Sequence, residues 1–360
     1  MRSILLLPLL VLLLLLEAGL RLNAQGDVDE AFQRRPGPGS LPFSLQPSSG
    51  EVNSTGQRGP EIPAGGHRIL FLGDSQTMGA GVREEETFVR LLERPGRVCI
   101  NGGVQGYGQP YELIYYYEIG QALEPDETVL CFYTGNDYRD VMVHTFQGGA
   151  TFQLMAPGRP PDNFPPVHLR DGSDINIHGG SPVVDPISRS SILRPSSEVL
   201  AWPMRHSALV RLVRNRSRIA WGRITNDLAL ADGGSRYHFY ELGLMQRLDD
   251  PYVRTAAELA GLFFYESRAL IPNFRVVIIP SRAQVDSLAR ARAFADLGLP
   301  VPRLYPREAS IVAAGACIFF DVPYLDLTAG FDEVQGIWQD DGHLNAVGHA
   351  LAAALIGDWL

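Results

Sequence analysis

The chain has no lysine: all 31 of its basic residues are arginine. A P-loop lysine, a pyridoxal Schiff base and a Ser-Lys dyad are therefore impossible. Cysteine is scarce, with three residues, and none has a neighbouring Cys or His at metal-ligand spacing, so a structural zinc site is not expected. Cys99, Cys131 and Cys317 each fall in or beside an apolar, strand-like run, where cysteine serves as a small buried hydrophobe. Positive charge is also in deficit. A net charge of −9 argues against a general nucleic-acid binder. What is abundant is apolar surface, 45% of 360 residues, enough for one large or two small cores.

The N-terminus carries Arg2 and then an almost purely apolar run, Ile4 to Leu16, before Glu17 and Arg21. That pattern reads as an export signal over 1–24, with a small-residue cut after Ala24. A retained membrane anchor reaching Leu22 stands beside it as an equal reading, placing the protein in the periplasm or outside the cell, tethered or free. Residues 25–66 are rich in Pro, Gly, Ser and Gln without periodicity, and are expected to form a flexible tether.

From 67 to 360 strands and helices alternate. Strands are expected near 68–72, 97–100, 127–133, 274–279 and 316–321, and helices near 86–93, 110–122, 252–269, 283–297, 305–314 and 345–357. Such alternation implies an α/β fold with a mostly parallel, doubly wound sheet of five strands and helices on both faces. The rhythm breaks at about 141–250, an insertion holding an arginine-rich amphipathic segment, Met204 to Arg223. A long excursion beside the carboxyl edge of such a sheet is the place to look for specificity.

Two segments carry most of the chemical information. In HRILFLGDS the apolar run Arg68 to Leu72 ends in Gly73, Asp74 and Ser75, which places a serine where a buried strand leaves its sheet. Helical backbone after Ser75 would aim free amides at whatever the hydroxyl binds. In QDDGHLNAVGHA, His343 precedes a small-residue helix and follows two aspartates. Asp340, three residues before it, is preferred over Asp341 as the acid that orients the imidazole. A serine hydroxyl needs such a base to become a nucleophile. Two further loops leave predicted strands, NGGVQGYG at 101–108 and TGND at 134–137. Glycine admits a substrate close to backbone amides, and an asparagine amide is a neutral donor suited to an oxyanion.

Each block alone is an ordinary turn or helix cap; their joint occurrence in order is the signal. Together the four blocks resemble those of the SGNH, or GDSL, hydrolase superfamily of esterases and lipases. The resemblance implies a flavodoxin-like three-layer α/β/α fold and a triad of Ser75, Asp340 and His343. It also implies oxyanion donors at Ser75, Gly106 and Asn136. Gly102 and Gly103 compete with Gly106, which is preferred because it stands five residues after Asn101. No metal or cofactor is implied. The resemblance further implies that Cys99 and Cys131 lie on non-neighbouring strands, so that no structural disulfide is expected. Thr134 departs from the glycine many members carry there. Asp74, Tyr107, Asp137 and Trp338 are candidates to line the pocket, and Tyr138 lies near the same blocks.

The expected reaction is cleavage of a carboxylic ester, on a small molecule, a lipid or an acylated glycan, through an acyl-serine. Transfer of the acyl group to a sugar hydroxyl proceeds from the same intermediate. A non-catalytic glycan- or partner-binding module that retains the fold, and a scaffold in which the tether and basic helix matter most, are the competing classes.

Overall fold

The computed structural model describes residues 34–35, 37–39, 41–147, 167–168, 174–175, 239–247, 251–296, 304–332 and 334–360. All of them fall in the compact unit formed by Phe32–Asp185 and Tyr237–Leu360. The N-terminal apolar run and the segment Met204 to Arg223 lie outside the described residues. Among the described residues no helix is long and apolar enough to cross a membrane.

Five parallel strands make the central sheet: β1 (His67–Gly73), β2 (Arg97–Gly103), β3 (Glu127–Tyr133), β4 (Phe274–Ile279) and β5 (Tyr324–Asp326). Their order is β2-β1-β3-β4-β5, all neighbours parallel. Strands of this kind are buried on both faces, which is why ILFL, VLCFY and VVII are continuous apolar runs and not alternating ones. Alternate residues divide between two cores. Leu70, Leu72, Leu130, Phe132, Val276 and Ile278 pack into one. Ile69, Phe71, Val129, Cys131, Val277 and Ile279 pack into the other.

The helices that cover the sheet are α1 (Ser75–Met78), α2 (Phe88–Leu91), α3 (Gln109–Glu118), α4 (Asp137–Gln147), α5 (Phe239–Met245), α6 (Pro251–Leu270), α7 (Arg282–Val285), α8 (Ser287–Asp296), α9 (Glu308–Phe319), α10 (Thr328–Phe331) and α11 (Ala346–Trp359). The expected helix at 283–297 is split at Asp286, whose side chain caps the second piece by accepting from the amides of Leu288 and Ala289 at 3.0 Å each. Cys99 on β2 and Cys131 on β3 are separated by β1, and all three cysteines are free and buried.

Three expectations are corrected. Residues 316–321 are not the last strand: the alanine-rich stretch before them carries α9 through Phe319, with Ile318 and Phe319 exposed at its end. The edge strand follows Pro323 and is three residues long. Residues 141–147 and 239–247, counted in the insertion, belong to helices α4 and α5 that pack in the core, with Val141, Leu242 and Met245 buried.

The third correction concerns the tether. From residue 41 the segment is an ordered strap lying against the sheet's edge, with Leu41, Leu45, Val52, Gln57 and Arg58 all buried. A short antiparallel pair joins Arg34–Arg35 to Ser44–Leu45, and the backbone of Arg58 bridges to Asn101 of β2. Lack of periodicity did not mean lack of order, because side chains take over the role of a ladder. Asn53 alone accepts from the amides of Thr55 and Gln57 and donates to the Pro60 carbonyl.

Candidate active site

In a sheet of this order β1 is the strand from which the chain departs in both directions, and ligands bind where the loops from its two sides part. Ser75 follows β1 directly and opens α1. The carboxylate of Asp74, wholly buried, caps that turn by accepting from the Gln76 amide at 2.8 Å. Burial raises the Asp74 carboxyl above its ordinary range, while the Gln76 amide and the charge on His343 work the other way.

His343 Nε2 lies 2.9 Å from Ser75 Oγ, and its Nδ1 lies 2.9 Å from Asp341 Oδ2. The carboxylate bonded to the imidazole is thus that of Asp341, where the three-residue spacing favours Asp340; both aspartates are exposed, so the contact and not burial separates them. The reason is backbone shape. The three-residue spacing suits a helix, but α11 starts only at Ala346, where Asn345 caps it by accepting from the amides of Val347 and Gly348. Residues 339–343 form a turn instead, closed by Gln339 N to the His343 carbonyl at 2.7 Å, with Gly342 at φ +91. In that turn Asp341 Oδ1 accepts from the His343 amide at 3.1 Å, which carries the second oxygen to the ring. Burial pushes the Asp341 carboxyl up, but its bonds to the His343 amide and ring outweigh that and hold it below the ordinary range.

Gln76 ties the segment that carries Ser75 to this turn. Its side-chain amide donates to the Gly342 carbonyl at 3.2 Å and its oxygen accepts from the Leu344 amide at 3.1 Å. Gln339 adds a second stitch, donating to the carbonyls of Ala80 and Leu344. Neither glutamine was singled out from sequence, since each contact to the other loop spans more than 250 residues and leaves no local pattern.

Gly102 and Gly103 belong to the β2 ladder, opposite Leu72 and Gly73. A Cβ at Gly103 would stand 2.3 Å from the Met78 amide nitrogen, so only glycine lets β2 approach α1 this closely. Gly106 lies beyond the ladder, exposed and left-handed at φ +82. Asn136 precedes α4 and is half-buried; its Nδ2 donates to Asp140 Oδ2 at 2.8 Å. Thr134, where the resemblance leads one to expect glycine, bonds Gln284 and accepts from the Ser281 amide at 3.0 Å, joining the loop after β3 to that after β4.

The pocket candidates are mostly inside the protein. Tyr107 is fully buried, with its hydroxyl on the Phe43 carbonyl. Asp137, fully buried, accepts from the Tyr133 amide at 2.7 Å, and burial beside Glu112 and Asp74 raises its carboxyl well above the ordinary range. Tyr138 is buried, donating to the Ala309 carbonyl at 2.6 Å. Trp338, half-buried, packs edge-on against Phe331. These side chains build the walls behind the site.

From the strap, Arg58 reaches the far end of α1. Its guanidinium donates to the carbonyls of Met78, Gly79 and Val82 and pairs with Glu51. It caps the helix C-terminus whose N-terminus carries the serine. Asn101 supports the same turn, donating to the Thr77 carbonyl at 3.0 Å.

No protein-family model and no curated protein matches the chain. Solved structures to which it is similar include a lipase/acylhydrolase from Enterococcus faecalis, at 16% identity and TM-score 0.36, covering 81% of this chain and 94% of that one. A catalytic mutant of Axe2, an acetylxylan esterase from Geobacillus stearothermophilus, is similar at 13% identity and TM-score 0.36, over 82% and 94%. The acetyl xylan esterase AlAXEase is similar at 10% identity and TM-score 0.39, over 81% and 99%. By its own sheet order and three-layer packing, the chain is a doubly wound α/β protein.

Proposed function

We propose that the chain is a serine esterase or acylhydrolase of the SGNH type. The observation that carries this reading is the relay from Asp341 through His343 to Ser75, both links at 2.9 Å, at the carboxyl end of β1. Ser75 Oγ attacks the ester carbonyl carbon as His343 Nε2 takes the hydroxyl proton. The oxyanion that forms is held by the amides of Ser75 and Gly106 and by the Asn136 carboxamide, the donors that the resemblance assigns. The intermediate collapses, the alcohol leaves with the proton from His343, and an acyl-serine remains. Water, deprotonated by the same imidazole, then releases the acid and restores the serine. Asp341 holds the ring in the tautomer that presents a lone pair to Ser75 and stabilises the imidazolium that forms.

The experiment is labelling of the full chain with a fluorophosphonate beside Ser75→Ala, followed by turnover of acetyl and longer-chain aryl esters with and without sugar acceptors. Labelling and turnover that require Ser75 are expected. Folded protein that neither labels nor turns over any ester would overturn the reading, and acylated sugar as the main product would assign acyl transfer. We further propose that the protein is exported, on the strength of the apolar run from Ile4 to Leu16. Fractionation of cells, with N-terminal sequencing of the mature chain, tests that.

A further inference from the structure

Asn136 is oriented against its local preference. A polar residue just before a helix ordinarily turns its side-chain oxygen onto the first-turn amides. Here Oδ1 is buried without a hydrogen-bond partner, while Nδ2 donates to Asp140 Oδ2 at 2.8 Å and also bonds the buried Asp74 carboxylate. A carboxamide can flip and exchange its oxygen for its nitrogen, and which end faces a neighbour is set by the bonding around it. Opposite a carboxylate only the nitrogen is tolerated, because two acceptors repel.

We propose, building on the esterase reading above, that Asp140 is a positioning residue for the reaction: its carboxyl group holds the Asn136 carboxamide with the donor end toward the oxyanion. Asp140 stands one helical turn after Asn136, so its own amide bonds the Asn136 carbonyl at 2.8 Å and the two side chains share one face of the turn. It is 3% exposed, and its other oxygen is taken by Arg139. It also touches the second donor loop, for a Cβ added at Gly108 would lie 2.8 Å from Asp140 Cβ. One buried side chain thus abuts both loops that carry the assigned donors, Gly106 and Asn136. Burial pushes the Asp140 carboxyl up to about 7, opposed by Arg139 and the Asn136 amide. Either protonation state retains an oxygen that can accept from Nδ2.

The test is a double-mutant cycle on the full chain. Asp140→Ala is expected to lower kcat about tenfold to a hundredfold with KM little changed, since a misplaced donor costs transition-state binding and not ground-state binding. Asn136→Ala should lower kcat at least as much. The double variant should be no slower than Asn136→Ala alone, because Asp140 acts through that carboxamide. Asp140→Asn, whose carbonyl can still accept from Nδ2, should recover most of the activity. If Asp140→Ala does not fold, Asp140→Leu preserves the buried volume and enters the same cycle. Wild-type kcat in the alanine or leucine variant, losses that multiply in the double variant, or an Asp140→Asn as slow as Asp140→Ala would each overturn the proposal. Absence of Ser75-dependent turnover in the wild type would remove the esterase reading itself, and this inference with it.

Discussion

His343 Nε2 stands 2.9 Å from Ser75 Oγ although 268 positions separate the two residues in the chain. Neither side chain reaches for the other unaided. Gln76, next to the serine, bonds the backbone on both sides of His343, so the ring is delivered by the turn that carries it. A hydroxyl and an imidazole held this way are pre-organised, which is where much of a nucleophile's activation arises.

The identity of the acid is directly testable. Asp341→Ala should lower ester turnover strongly, and His343→Ala or Ser75→Ala by on the order of 10⁴ or more, while Asp340→Ala stays near wild type. Steady-state kcat on an aryl ester reads all four. A severe loss at Asp340 with none at Asp341 would mean that the working turn differs from the one described.

Arg58 should matter to stability and activity together. Arg58→Met removes the side-chain donor from the Gly79 and Val82 carbonyls behind α1, leaves the Met78 carbonyl only the longer bond from Asn101, and strips Glu51 of its partner. A loss of about 3 kcal/mol in urea unfolding is expected, since each buried group left unmet costs about 1–3 kcal/mol and water recovers part of it. Slower fluorophosphonate labelling should accompany it. Unchanged stability would show that the strap rests on the domain without supporting it.

Acid sensitivity has a defined source in two buried histidines. His144 and His349 are driven by burial from 6.5 down to about 4, so folding favours their neutral forms. Their contribution is present above pH 6.5 and is lost as pH falls toward about 4. His349→Leu should therefore flatten the dependence of Tm on pH across that window, even though it removes the acceptor for the Phe88 amide. Asp140 runs with the opposite sign: raised from 3.8 to about 7, it favours the fold at low pH and loses that contribution as pH rises through about 7.

Glycine substitution separates close approach from mere composition. Gly103→Ala puts a Cβ 2.3 Å from a backbone nitrogen of α1, and the clash is relieved only if β2 and α1, which opens at Ser75, move apart. Loss of Ser75 labelling is expected. Gly315→Ala, in open space on α9, should be neutral or stabilise by about 0.5–1 kcal/mol. Thermal melts of both check the contrast.

Much of the fold was legible because buried parallel strands announce themselves. The runs that became β1, β3 and β4 are apolar on both faces, and their expected limits fall within a residue of those found. The last strand was misplaced because Ile318, Phe319 and Phe320 look like a strand by residue type, whereas the small residues ahead of them continue a helix. The strap at 41–66 was read as a tether because composition reports propensity alone. Its order comes from Leu45, Val52, Met78 and Ala80 packing together and from the bonds of Asn53, Gln57 and Arg58, partners not visible along the chain.

Ser75, His343, Gly106 and Asn136 could be nominated from sequence because each sits in a short, specific run of residue types that leaves a predicted strand or precedes a helix. The choice between Asp340 and Asp341 could not be made that way. Spacing fixes which side chains share a face only when the backbone is regular, and residues 339–343 are a turn whose shape is set by the left-handed Gly342 and the Gln339–His343 bond. The same holds for Gln76, Arg58 and Asp140. Their roles lie in contacts made after the sheet has assembled, so tertiary structure alone decided them.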